Sequence, residues 1–162
     1  MAFPESKPLD ETDWAILREL QVNARLTYAE LGRRVGLTSP AVQERVRRME
    51  DAGIIQGYSV RVNPRKLGLT ITSFSRLLNV RDASSVDTII EIAQNTPEVL
   101  DCYHVMGQDE FLLHIVTTSV DHLEQVLHRF KPHAQSISSI VIKAPVKNRG
   151  IQREITEGIR EE

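Results

Sequence analysis

The stretch from Thr27 to Gly53 constrains this chain most, because it specifies two short helices with almost nothing between them. Thr27-Tyr28-Ala29-Glu30 is a capping box, in which Thr27 and Glu30 each satisfy the other's backbone amide. The helix continues to Val35 and stops at Gly36, which adopts a left-handed backbone at little steric cost. Ser39 is the expected N-cap of the next helix, and Pro40 suits its first position, where the missing N–H would be unsatisfied anyway. Val42, Val46 and Met49 recur at i, i+4 and i+7 and must face inward. The opposite face then carries Pro40, Gln43, Glu44, Arg47, Arg48 and Asp51. A short Gly-Leu-Thr turn followed by a helix with a polar, basic outer face is helix-turn-helix grammar. A plain three-helix scaffold with a solvated face has the same spacing. Glu44 and Asp51 oppose a purely electrostatic attraction to phosphate.

A further helix precedes this pair. Asp10 caps it, acids fill its first turn, and Trp14, Ile16, Leu17 and Leu20 form its apolar stripe, so it is expected over Glu11–Gln21. After Gly53, Ile54, Gln56, Tyr58, Val60 and Val62 share one parity up to Asn63-Pro64. This reads as an exit strand, either a wing or a linker. Arg61, Arg65 and Lys66 beside it are phosphate contacts or plain solubilising charges. The net charge is −2, yet residues 23–66 hold nine Lys/Arg against four Asp/Glu. Phosphate contact depends on where cations sit, so the local excess permits a nucleic-acid partner that the total does not suggest.

The remainder alternates. Residues 69–80 suit a strand, 85–95 a helix ended by Thr96-Pro97, 99–106 a strand, 110–117 its hairpin partner, 119–130 a helix and 137–146 a last strand. The order β-α-β-β-α-β is ferredoxin-like, so the fold class is α+β. Phe111-Leu112-Leu113-His114-Ile115-Val116 is apolar on both parities, whereas a half-solvated strand should alternate. Both faces of the sheet are therefore expected to be covered, the second one by another copy of the chain. A twofold dimer would carry two recognition helices for two half-sites. The domains are expected at residues 1–64, with the helix-turn-helix motif at about 28–47, and at residues 65–147. Residues 148–162 form a tail, in which Ile151, Ile155 and Ile159 make either a thin interface stripe or a frayed end.

Several function classes drop out. No apolar run reaches the roughly 20 residues of a membrane span, and the N-terminus lacks a secretion signal's layout. A soluble, cytoplasmic protein with no membrane association is expected. Cys102 is the only cysteine, which excludes an intrachain disulfide and a cysteine zinc cluster. His128 and His133 flank Pro132, a poor spacing for metal ligation. If the hairpin pairs Met106 with Glu110, Cys102 falls opposite His114, which reads as a small buried thiol or as half a metal site. No phosphate loop, nucleophile motif or carboxylate pair at a recognisable spacing argues for an enzyme. A stand-alone amino-acid-sensing module would lack the basic N-terminal unit. The expected profile has no catalytic residues, no bound metal and no cofactor.

The ordered series Leu9-Asp10, Asp13, Ile16-Leu17, Leu20-Gln21, Arg25, Glu30-Leu31, Val35-Gly36-Leu37, Ser39-Pro40 and Arg45-Val46-Arg47-Arg48 resembles one known family. Gly53-Ile54-Ile55, Gly57-Tyr58, Asn63-Pro64, Leu67-Gly68, Gly107 and Pro145-Val146-Lys147 continue the likeness, from Leu9 to about Lys147. The family is that of the Lrp/AsnC, or feast/famine, transcriptional regulators. The resemblance implies a winged helix-turn-helix followed by a ferredoxin-like regulatory domain that binds an effector and oligomerises. It implies dimers joined through the sheet, often gathered as octamers of four dimers. It also implies an amino acid or related small molecule bound near the hairpin turn, here Gly107, Gln108, Asp109 and Glu110. Met106 stands where Thr is common in the family, and Glu110 where Asp is usual.

On that footing the chain is expected to be a sequence-specific regulator on double-stranded DNA. Ser39, Pro40, Gln43, Glu44 and Arg47 occupy the first turns of the recognition helix. Arg47 could fork onto guanine, Gln43 onto adenine, and Glu44 could accept from cytosine. Arg34 and Arg48 are read as phosphate anchors, and Arg45, near the inward face, as partly structural.

Overall fold

The computed structural model describes residues 8–107 and 109–157. They divide into two compact units: the chain up to Arg61 together with the chain from Val146 onward, and Val62–Pro145.

The first unit holds α1 (Glu11–Val22), α2 (Tyr28–Val35) and α3 (Ser39–Asp51). Its helix ends follow from local chemistry. Asp13 N–H donates to Asp10 Oδ1 at 2.8 Å, and Asp10 N–H returns to Asp13 Oδ2 at 3.1 Å. Thr27 and Glu30 close the second box at 2.8 and 3.2 Å. Gly36 ends α2 at φ 72°. The start of α3 differs from expectation: Thr38, not Ser39, is its N-cap, because the Thr38 carbonyl already accepts from Val42 at 3.1 Å. Ile16, Leu20, Leu31, Val42, Val46 and Met49 form the core. Trp14 and Leu17 stay half-buried at its margin.

The exit strand expected after Gly53 is absent. Residues 54–63 carry no strand, and among the described residues none precedes Ile71. Gly53 and Gly57 sit at φ 69° and 150°, and residues 54–63 pair with no strand of the sheet. Val60 and Val62 are left exposed. The wing is therefore not formed in this chain by itself. A single 3-10 turn, Pro64–Leu67, opens the second unit.

That unit is a four-stranded antiparallel sheet in the order β2-β3-β1-β4, with β1 (Ile71–Leu78), α4 (Ala83–Gln94), β2 (Val99–His104), β3 (Asp109–Thr117), α5 (Val120–His128) and β4 (Gln135–Ile140). This is the ferredoxin-like arrangement. Leu77, Phe111, Leu113 and Ile115 turn toward α4 and α5 and bury against Ile89, Leu123, Val126 and Phe130. β4 stops six residues short of expectation: Val141 N–H still bonds Thr72 O at 2.8 Å, but β1 begins at Ile71 and offers nothing further. On the other face Phe74, Tyr103 and Ile137 are exposed, beside half-buried Leu112 and His114 and buried Val116. His114 Nδ1 lies 2.7 Å from Asp101 Oδ2, and its ring stacks on Phe74 at 4.9 Å.

The hairpin register also differs. The hairpin pairs His104 with Phe111, one residue off the expected register, which sets Cys102 opposite Leu113 and His114 opposite Asp101. An irregularity between Val99 and Asp101 then displaces only the Val99 pairing. The half metal site suggested by Cys102 and His114 is not formed. Cys102 is exposed rather than buried, because β2 is an edge strand. Among the described residues no group of three His, Cys, Asp or Glu could hold a metal ion, and no helix is long and apolar enough to cross a membrane.

Candidate nucleic-acid interface

Recognition of a duplex needs a helix held firmly from behind and open in front. The back of α3 is held by α1. Asp13, 1% exposed, accepts from Arg45 Nη1 and Arg48 Nη2, each at 2.7 Å, through its two different oxygens. Arg45 Nη1 also reaches Asp10 Oδ2 at 2.6 Å. The hydrogen bond from Arg45 and the Asp13 amide hold the Asp10 carboxyl below its usual range. The same carboxylates, Asp10 first, push the Arg45 guanidinium upward. One buried acid thus fixes the azimuth of α3 about its own axis.

Gly32 fixes the turn. A Cβ there would run into the Leu37 carbonyl oxygen, and Leu37 N–H bonds Gly32 O at 2.9 Å. The close approach of α2 to its turn therefore needs a residue without a side chain. Behind α3's last turn, Tyr58 Oη donates to Glu50 Oε1 at 2.8 Å. Desolvation and then the Glu50 carboxylate push this phenol up to about 12.

The front of α3 is open. Pro40, Gln43, Glu44 and Arg47 are exposed, with Ser39 half-exposed at the N-terminal end. Arg47 Nε and Asp51 Oδ2 are 3.6 Å apart, both more than two-thirds exposed, a pair too solvated to hold the guanidinium against a better acceptor. The structure thus brings five of the seven residues read as DNA contacts onto one accessible surface. The other two are engaged elsewhere: Arg48 with Asp13, and Arg34 with Glu19 Oε2 at 2.6 Å. Arg48 and Arg34 keep half-exposed side chains, so each has donors left over while one is used within the fold. Sequence reasoning missed Asp13 and Gly32. Asp13 was legible as a capping residue, but not its second task, since its partners lie 32 and 35 residues away.

The hairpin turn in the second unit divides similarly. Gly107 has φ 147° and is exposed, and Met106 beside it is fully exposed. Gln108 lies outside the described residues, and Asp109 opens β3 with its backbone opposite Leu78. Glu110 Oε1 accepts from the Val80 N–H at 2.9 Å, so this carboxylate closes the end of β1.

A helix-turn-helix with an open recognition helix, followed by a ferredoxin-like domain, defines a DNA-binding transcriptional regulator with a separate regulatory domain. Residues 9–50 match the AsnC-type helix-turn-helix domain, and residues 77–151 match the Lrp/AsnC ligand binding domain. The HTH-type transcriptional regulator LrpA of Mycobacterium tuberculosis is 36% identical over 129 residues, 80% of this chain and 85% of that protein. A Neisseria meningitidis transcriptional regulator solved in complex with L-Met superposes with a TM-score of 0.84 at 29% identity, covering 91% of this chain and 99% of that one. The feast or famine regulatory protein of M. tuberculosis, complexed with L-methionine, gives 0.80 at 34%, covering 88% and 97%. The chain belongs to the Lrp/AsnC family of transcriptional regulators. It is a sequence-specific DNA-binding regulator and not an enzyme.

Proposed function

We propose that this regulator reads its operators as a dimer in the cytoplasm, with base contacts from Gln43, Glu44 and Arg47, and that an amino acid or a close relative of one modulates it. The carrying observation is the exposed row Pro40, Gln43, Glu44, Arg47 on a helix whose other cations are tied down by Asp13. Glu44 in that row repels phosphate, so the row serves selection among bases more than general affinity. Ser39 and Pro40 bring the helix N-terminus toward the backbone, and Arg34 and Arg48 supply phosphate contacts with the donors their ion pairs leave over.

The exposed sheet face of Phe74, Tyr103 and Ile137 around Leu112 and Val116 supports a second copy as its cover. Octamers of four such dimers are the larger assembly. The effector reading rests on the ligand-binding-domain match and on two structural relatives that hold L-methionine. Its site is placed at the turn Gly107, Gln108, Asp109 and Glu110, with no resident cofactor.

The test is selection of a duplex from a random library by the wild-type chain, followed by binding of single-base variants. Arg47→Ala should flatten the base preference at one position, by about 1–3 kcal/mol of lost discrimination. Arg48→Ala should weaken all sequences alike. Identical profiles for the two would refute the assignment. Calorimetry against the twenty amino acids tests the effector, and no heat from any of them would remove it.

A further inference from the structure

The C-terminal tail is built into the DNA-binding unit. The chain leaves that unit after Arg61, runs through the regulatory unit and re-enters at Val146, so the two are joined by two covalent crossings. The returning segment turns at Asn148, in the left-handed region at φ 51°, and docks on α1. The Gln21 carboxamide grips the backbone of Ile151 from both sides. Ile151 N–H donates to Gln21 Oε1 at 2.7 Å, and Gln21 Nε2 donates to Ile151 O at 3.0 Å. This reproduces the paired hydrogen bonds of a β-ladder with a side chain as one strand. Only glutamine satisfies it on this helix: glutamate lacks the donor, and asparagine is one methylene shorter.

The neighbouring residue is fitted to the clamp. A Cβ on Gly150 would sit 3.0 Å from Gln21 Oε1 and 3.1 Å from Gln21 Cδ, so a side chain there would crowd the Gln21 carboxamide and make it give way from the clamp geometry. One turn on, Arg153 Nη1 lies 3.5 Å from Glu11 Oε1 at the other end of the same helix. Together these contacts lay the tail along α1, where it closes one side of a cavity of 430 Å³ with Trp14, Leu17 and Tyr58. Through Asp13, α1 in turn carries the two arginines that orient α3. The contacts run unbroken from the tail through α1 to the recognition helix.

We infer that the tail is a second tether, which restrains the helix-turn-helix unit so that two recognition helices engage two half-sites with less loss of freedom. The inference rests on the dimeric reading above. When one helix of a dimer is bound, the other samples its half-site at an effective concentration set by its connections. A clamp on α1 raises that concentration without touching DNA.

The experiment uses the full-length chain and the duplex it selects. Gln21→Ala opens the clamp with no change of charge, at an exposed helical position where alanine is well tolerated. Gly150→Val opens it from the other side, and truncation after Lys147 removes it. Each should weaken binding to the two-half-site duplex by about tenfold and leave binding to a single half-site unchanged. The salt slope of log K should stay as in the wild type, since no phosphate contact is lost with Gln21. Gln21→Ala in the truncated chain should add nothing. Wild-type affinity for the duplex in both clamp variants would overturn the tether. So would equal losses on the single half-site, which would make the clamp a support of α3 alone. A wild type that sediments as a monomer on DNA would instead refute the dimer.

Discussion

Replacing Asp13 by asparagine removes one charge from the centre of the helix-turn-helix and changes almost no volume. In the wild type the two oxygens of Asp13 serve Arg45 and Arg48 separately, at 2.7 Å each, and Oδ2 also takes the Asp10 N–H at 3.1 Å. The amide nitrogen of an asparagine would face one guanidinium with donor against donor. Breaking a fully buried ion pair costs about 3–5 kcal/mol. Here only the acid is buried: the Arg45 and Arg48 side chains are 27% and 45% exposed and can turn to water, and Arg45 keeps Asp10. One charge-assisted hydrogen bond lost and one weakened leave about 2–3 kcal/mol. Trp14, the only tryptophan, sits one residue away on α1 and reports this unit by fluorescence. Urea titration of Asp13→Asn should therefore move the midpoint down by that free energy divided by an unchanged m. A loss below about 0.5 kcal/mol would refute the reasoning, because it would make the pair equivalent to a surface salt bridge.

Other outcomes follow from the same contacts. Gly32→Ala should destabilise the unit by about 1–3 kcal/mol in the same assay, through collision with the Leu37 carbonyl. Glu110→Ala should cost about 1–3 kcal/mol in thermal or urea melts, since the Val80 N–H loses its acceptor; a residue that served an effector alone would leave the melt unmoved. Asp10 is held below its usual range by Arg45, so its contribution is present above the unfolded value near 4 and is lost as pH falls through the lower folded value. Asp10→Asn should accordingly flatten the acid limb of stability against pH, and an unchanged limb would count against the pair. If the proposed dimer is joined through the open sheet face, Phe74→Arg should give a monomer in sedimentation, with the fold retained by circular dichroism.

The start of α1 and both ends of α2 were legible because their determinants are local, whereas the N-cap of α3 fell one residue earlier than expected. Thr27 and Glu30 are three residues apart, as are Asp10 and Asp13, and Gly36 needs no partner to end α2. The inward positions Val42, Val46 and Met49 followed from period alone, and so did the order of strands and helices in the second unit. The open face of α3 was readable by the same geometry.

What the amino-acid order determined by itself was therefore the three helices of the first unit, the order of strands and helices in the second, and the family, but not the fate of residues 54–63. Only the tertiary structure decided which charges remain available. Arg34 and Arg48 look like free cations on a helical wheel, yet each meets a carboxylate from α1, 15 and 35 residues away. Gln21 and Ile151 meet across 130 residues, which turned an apparent frayed tail into part of the DNA-binding unit. The hairpin closes with His104 opposite Phe111, which puts Cys102 one position away from His114, and a shift of one reverses the face of a strand. Period and capping act within a turn or two of the backbone. The pairing of charges, the strand register and the docking of the tail depend on which distant residues the folded chain brings together.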